Sequence, residues 1–164
     1  MHVDWHDARG IQRLTEVPSP QPECAQEMGG TVMESAKAQR PYVILLAEDD
    51  PELRALMASS LRRAGFQVRE AKDGLQLAES LDANVLYDMP LPDLIVTDMR
   101  MPGMSGLQVL GAVRRNRWTV PVVMVTAFGD SELHAAVKQL GGLILDKPVE
   151  MAVLTSTVRR ALAG

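Results

Sequence analysis

A doubly wound α/β fold on five parallel strands is predicted by three features of the sequence. From residue 42 onward, short apolar runs alternate with stretches of helical period. Several of these runs are apolar at nearly every position, as expected of strands covered on both faces. The residues that follow the runs are polar or charged, which is where a parallel sheet gathers its ligands.

The elements follow in order. YVILLA (42–47) reads as a buried strand. Pro51 opens a helix that Asp50 is placed to cap, with Leu53, Leu56, Met57 and Leu61 on one face and Gly65 at its end. QVREA (67–71) is a short strand, and residues 74–82 have helical period. NVLYDMPLPD (84–93) reads as a long surface loop. DLIVT (93–97) is a strand, and Leu107–Arg115 a helix capped by Ser105. Trp118 reads as a loop anchor. Arg114, Arg115 and Arg117 read as a solvated basic face that complements a helix C-terminus. VPVVMVTA (120–127) is another buried strand. Asp130 and Ser131 open a helix that ends at Gly141–Gly142. LIL (143–145) is the last strand and Val149–Leu162 the last helix. Five strand–helix units with right-handed crossovers make one sheet with helices on both faces.

Composition narrows the function. A chain of 164 residues suits one domain and leaves no room for an effector. The apolar share is 46% and the charged share 23%, close to a soluble globular average. Aromatics are only 4%, so the core must rest on aliphatic residues and the ten methionines. A net charge of −4 argues against a nucleic-acid footprint. No apolar run is long enough to span a membrane, and MHVDWHDARG lacks the apolar centre of a signal peptide. A single cysteine, Cys24, fits a reducing cytoplasm.

The composition also shifts near residue 40. Residues 1–40 carry Pro18, Pro20, Pro22 and the Gly29–Gly30 pair without sustained periodicity, and read as a disordered tail ahead of a domain over 41–164. Met33 begins MESAKAQR, which reads as an ordinary N-terminus preceded by a start codon assigned too early. His2 and His6 stand four apart with no third ligand near, and read as polar surface.

The strand ends carry the chemistry. Glu48, Asp49 and Asp50 follow the first strand, Asp98 the third, Thr126 and Ala127 the fourth, and Lys147 the fifth. Glu48, Asp49 and Asp98 would crowd like charges and demand a counter-cation. Carboxylate oxygens without His or Cys suit Mg2+ or Mn2+. Lys147 and the Thr126 hydroxyl would meet a phosphate. Asp98 stands alone at the central strand and is the candidate nucleophile for a phosphoryl group; Glu48 and Asp49 are left to hold metal. In the following MRMPGMSG, Pro102 and Gly103 set a turn, Gly106 is expected to take a backbone conformation that other residues avoid, and the Arg100 carbonyl is expected to face the metal.

At these residues the sequence resembles a response-regulator receiver domain of two-component signalling. The resemblance covers about residues 41–163 and rests on ILLAEDDPELR (44–54), DLIVTDMRMPGMSGLQVL (93–110), PVVMVTA (121–127) and LDKPV (145–149). It implies a flavodoxin-like (βα)5 fold and phosphorylation of Asp98 by a sensor histidine kinase or phosphotransfer protein. It implies Mg2+ held by Asp49, Asp98 and the Arg100 carbonyl, with Glu48 acting through water. Thr126 matches the family's switch hydroxyl and Lys147 its phosphate-binding lysine. Thr126 would move toward the phosphoryl group and reshape the face of the fourth helix and fifth strand.

The sequence departs from the family at three places. Ile144 stands where the switch aromatic is expected, so in-out flipping of an aromatic is not the output here. GGLILDKP is one residue short of the usual spacing, and the 84–93 connection is several residues long. Arg100 and Phe128, two places past Asp98 and Thr126, occupy positions expected to tune phosphate lifetime. The implied protein is a stand-alone cytoplasmic switch that signals by binding an effector protein. Two other readings stand beside it. One is a receiver-like adaptor independent of phosphorylation. The other is an aspartyl-nucleophile phosphatase, against which Arg100 occupies the place of that chemistry's second aspartate.

Overall fold

The computed structural model describes residues 40–127 and 129–164. The readings of a disordered tail, of a start at Met33 and of the His2–His6 pair fall on residues 1–39, outside the described residues, as does Phe128. The elements are β1 (Val43–Ala47), α1 (Pro51–Arg63), β2 (Gln67–Ala71), α2 (Gly74–Leu86), β3 (Leu94–Asp98), α3 (Gly106–Arg115), β4 (Val122–Thr126), α4 (Ser131–Gln139), β5 (Leu143–Asp146) and α5 (Met151–Ala163). All strand pairs are parallel, in the order β2-β1-β3-β4-β5. The predicted doubly wound fold is the one formed.

The continuous apolar runs have a simple cause. Successive strand residues point to opposite faces, and both faces are covered. Leu45, Ile95 and Met124 face one layer, with Leu77, Leu81, Val109, Leu110 and Val137 from α2, α3 and α4. Ile44, Leu46, Val96 and Val123 face the other, with Met57 and Leu61 of α1 and Leu154 and Val158 of α5. The chain turns from β2 back across β1 to β3, so the crevice between the carboxyl ends of β1 and β3 is the switch point of the sheet.

The caps sit where the sequence places them. Asp50 accepts from Glu52 N and Leu53 N, Ser105 forms a capping box with Gln108, and Asp130 accepts from Leu133 N. Trp118 is partly buried against the α2–α4 core layer, an anchor as expected.

Several expectations change. Helix α2 runs on to Leu86, so residues 84–86 of the expected loop are helical and the connection is 87–93. Asn84 explains both: its side chain is buried, accepts from Arg69 and donates to the Pro90 carbonyl. Leu56 is 50% exposed and leaves the apolar face assigned to it. Helix α5 begins at Met151, two residues late, after a cis Lys147–Pro148 bond. Arg114 is not a solvated charge. Its guanidinium donates to the carbonyls of Trp118, Val120, Leu140 and Gly141, joining α3 to the ends of two other segments.

Arg40, counted with the tail, is tied to the domain. Its guanidinium pairs with both oxygens of Asp93 at 2.8 Å, and Asp93 also accepts from Val43 N at 2.7 Å. Burial alone would raise the Asp93 carboxyl. The Arg40 and Val43 hydrogen bonds and the guanidinium charge outweigh it and hold the group below its ordinary value. A depressed carboxylate stabilises the fold above its unfolded pKa and loses that contribution as pH falls through the folded value. Asp93→Ala is therefore expected to cost about 1 kcal/mol at pH 7, mainly from the orphaned Val43 N–H. It should also flatten the loss of stability below about pH 4. Urea melts from pH 7 to 3 check both; an unchanged acid slope would exclude Asp93 as its source.

Candidate functional site

Each strand that ends at the crevice delivers one part of the site. After β1 the chain bends into the acidic run. Asp50 turns away to cap α1, and its own N–H donates to Glu48 Oε1 at 3.3 Å. Glu48 is almost fully buried and Asp49 is exposed. Asp98 closes the buried β3 and is 6% exposed. One carboxylate oxygen from each of Glu48, Asp49 and Asp98 lies within 4.8 Å of the others.

Lys147 reaches this cluster from the end of β5. Its Nζ lies 3.0 Å from Glu48 Oε2 and 3.0 Å from Asp98 Oδ1. The other Asp98 oxygen accepts from Arg100 N at 3.1 Å. Thr126 ends β4, one residue past Val125, the register partner of Asp98, and is buried. Lys147 N donates to the Thr126 carbonyl at 2.7 Å, which ties the ends of β4 and β5 together.

The electrostatics are those of an under-neutralised site. Burial raises the Glu48 carboxyl above its ordinary value; the Lys147 hydrogen bond opposes this, and the Asp98 charge adds to it. Burial lowers the Lys147 ammonium, but its hydrogen bonds to Asp98 and Glu48 win, and its pKa lies above that of a free lysine. Among the described residues, the ammonium of Lys147 pairs with two of the three clustered carboxylates, Glu48 and Asp98. A hard divalent cation with oxygen ligands satisfies this arrangement, and the donor set fits Mg2+.

The structure thus brings Glu48, Asp49, Asp98 and Lys147 into direct proximity, and sets Thr126 on the adjoining strand end. Arg100 contributes its N–H to Asp98, while its side chain is exposed. Ile144 is half-buried and packs on the α2–α4 core layer. Sequence reasoning missed Arg54. Its guanidinium donates to the Glu48 carbonyl at 2.7 Å and pairs with Glu70 at 3.6 Å, propping the acidic turn from α1. Its position one turn past the Asp50 cap was the available signal. The tight seat of Gly74 was also missed, and Gly106, expected to adopt an unusual backbone conformation, instead begins α3 without a positive φ and needs the absence of a Cβ for a close seat on Asp98. A Cβ at Gly74 would lie 1.9 Å from the Met104 carbonyl oxygen, so α2 starts directly against the loop that follows Asp98.

Comparison with known proteins agrees with this geometry. Residues 44–159 match the model of the response regulator receiver domain. The chain is 34% identical over 120 residues to the C4-dicarboxylate transport transcriptional regulatory protein DctD of Pseudomonas aeruginosa, covering 73% of this chain and 25% of that protein. It is 29% identical over 120 residues to sporulation initiation phosphotransferase F of Bacillus subtilis, covering 73% and 92%. Among solved structures, a response regulator receiver protein from Sinorhizobium medicae superposes with a TM-score of 0.64 at 28% identity, covering 76% of this chain and 97% of that one. The chain spans about a quarter of the length of DctD and of the DNA-binding transcriptional regulator NtrC of Escherichia coli. Among the described residues, no helix is long and apolar enough to cross a membrane. With the family match over most of its length and an acidic crevice at the switch point of its sheet, the chain belongs to the response regulator receiver domains of two-component signalling.

Proposed function

We propose that this receiver accepts a phosphoryl group on Asp98 and signals by changing what its surface binds. The observation that carries the reading is Asp98 itself. It is a nearly buried carboxylate at the central strand end, with one oxygen on Lys147 and acidic neighbours that call for a cation. In the transfer, an Asp98 carboxylate oxygen would form a bond to phosphorus as the bond from phosphorus to the donor's imidazole nitrogen breaks. The products are an acyl phosphate and a free histidine on the donor. Lys147 would hold a phosphoryl oxygen, and the Thr126 hydroxyl would take another. Asp49, Asp98 and the Arg100 carbonyl would hold Mg2+, with Glu48 supporting it through water. Bound there, the ion would offset charge on the phosphoryl oxygens.

The donor is a sensor histidine kinase or a phosphotransfer protein, and the output a separate effector protein. The activity is self-modification and its reversal rather than turnover of an outside substrate, and the setting is cytoplasmic. In this reading residues 41–164 are the working domain and residues 1–40 a tail.

Intact mass after incubation with acetyl phosphate and Mg2+ tests the proposal. The chain is expected to gain one phosphoryl group, and Asp98→Asn none. A gain that survives in Asp98→Asn would move the acceptor elsewhere. No gain together with no Mg2+ binding would favour an adaptor, and steady turnover of unrelated phosphoesters a phosphatase.

A further inference from the structure

Glu48 is held through its main chain as well as its carboxylate. Its N–H donates to the Ala71 carbonyl at the end of β2 at 3.3 Å, and its own carbonyl accepts from the Arg54 guanidinium at 2.7 Å. Arg54 grips the acidic run twice, because its main-chain N–H also donates to the Asp50 carbonyl at 2.9 Å. The peptide that joins Glu48 to Asp49 is thereby fixed between α1 and β2, and with it the point from which the Asp49 side chain departs. Asp49 is exposed, yet one of its oxygens lies within 4.8 Å of an oxygen of Glu48 and of Asp98. An exposed side chain on a loose backbone would spread over many positions, and a fixed peptide limits that spread.

Arg54 also brings a positive charge close to a cluster that calls for a cation, and Glu70 answers it. Arg54 Nε lies 3.6 Å from Glu70 Oε2, and Glu70 Oε1 accepts from Arg62 at 2.8 Å. Arg62 is anchored in turn on the Val68 carbonyl at 3.0 Å. The guanidinium of Arg54 thus has one nitrogen toward the carboxylate of β2 and another on the Glu48 carbonyl. A lysine, with one compact ammonium, cannot fill both roles.

We infer that Arg54, oriented by Glu70, is a positioning residue for the divalent cation: it fixes the Glu48–Asp49 peptide so that Asp49 joins Glu48 and Asp98 around one ion. The inference rests on the proposed reading of that cluster as the Mg2+ site. Two effects of Arg54 oppose each other in sign. Its charge repels a cation, so if charge decided the outcome, removing Arg54 would strengthen Mg2+ binding. Its hold on the Glu48 carbonyl orders the donors in advance, so if positioning decides, removing Arg54 weakens binding. Glu70 offsets the charge and leaves the hold intact, which favours the second outcome.

The test is Mg2+ binding to the unphosphorylated full chain, followed by amide chemical shifts in NMR spectra, with thermal melts to establish that each variant is folded. Arg54→Met is expected to bind Mg2+ about tenfold more weakly. Arg54→Lys, which keeps the charge but not the fork, should also bind more weakly. Glu70→Gln, on an edge strand, should weaken binding by about threefold, and should add little in the Arg54→Met background. In mass-gain assays with acetyl phosphate, Arg54→Met should be slow at limiting Mg2+ and near the wild-type rate at saturating Mg2+, a split that a general loss of structure would not produce. A folded Arg54→Met that binds Mg2+ as wild type does, or more tightly, overturns the inference. Should that variant fail to fold, wild-type affinity in both Arg54→Lys and Glu70→Gln overturns it equally. A wild-type protein that binds no Mg2+ would instead overturn the reading of the acidic cluster, and with it any positioning role of Arg54.

Discussion

Gly106→Ala is expected to lower phosphorylation of Asp98 by about a hundredfold and to destabilise the domain by about 2 kcal/mol. Gly106 is the first residue of α3, and its N–H donates to the Met99 carbonyl. A Cβ there would lie 2.5 Å from the Asp98 carbonyl oxygen and 3.2 Å from Thr97 Cγ2. Ordinary contact begins near 3.4 Å, so either α3 or the end of β3 must move by nearly an ångström. Both neighbours belong to a fully buried strand that cannot yield cheaply. The strain therefore falls on the residue whose carboxylate must be aimed, and misplacement of about 1 Å is enough to cost two orders of magnitude in rate. Gly111→Ala is the control. It lies in the same helix, and its Cβ would meet only the flexible end of Arg115 at 3.1 Å. It should stabilise the fold by up to about 1 kcal/mol through helix propensity and leave phosphorylation unchanged. Urea melts and the rate of mass gain with acetyl phosphate read both effects. Equal behaviour of the two variants would show that the close seat of α3 on Asp98 has no consequence.

Lys147→Ala is expected to remove the response to phosphorylation and to cost about 2 kcal/mol at pH 7. Lys147 is the cation that faces Glu48 and Asp98, at 3.0 Å from each. Breaking a fully buried pair costs about 3–5 kcal/mol because it strands a charge. The value here is lower because 22% of the Lys147 side chain meets solvent, where water screens the contact. The pH dependence has a definite sign. Lys147 titrates above a free lysine, so its stabilisation is present in full at neutral pH and disappears only as pH rises through that value. Glu48 is raised by burial, so the fold favours its neutral form, and stability falls as pH rises through its folded pKa. Without Lys147 that pKa climbs further. The loss of stability in the variant should therefore be largest at neutral pH and shrink as pH falls and Glu48 takes up its proton. Mg2+ at neutral pH should also restore part of the loss, since a divalent cation supplies the missing charge. Thermal melts across pH, with and without Mg2+, check this. A stability deficit that is the same at pH 4.5 and pH 7 would mean that Lys147 acts through packing and not charge.

The residues that sequence alone identified have a common character. Each is announced by its immediate neighbours. Glu48 and Asp49 follow a continuous apolar run, Asp98 follows another, and Asp50, Ser105 and Asp130 stand directly before helices they cap. The period of the apolar residues also decided the order of elements, because burial on both faces leaves few other ways to arrange five such runs. Boundaries were less legible. The end of α2 depends on Asn84, whose bond to Arg69 is set by a strand 15 residues earlier.

What only the tertiary structure decided are contacts between residues far apart in the chain. Lys147 meets Glu48 across 99 positions, Arg40 meets Asp93 across 53, and Arg114 meets Leu140 across 26. Leu56 shares the period of a buried face yet is half exposed. The seat of Gly106 on Asp98 is likewise a distance between separate segments. The reason is physical. Hydrogen bonds within a turn or a cap are set by a few adjacent residues and can be read locally. Desolvation, charge pairing and close backbone approach are set by whatever the sheet order brings alongside, and that is known only once the chain has folded.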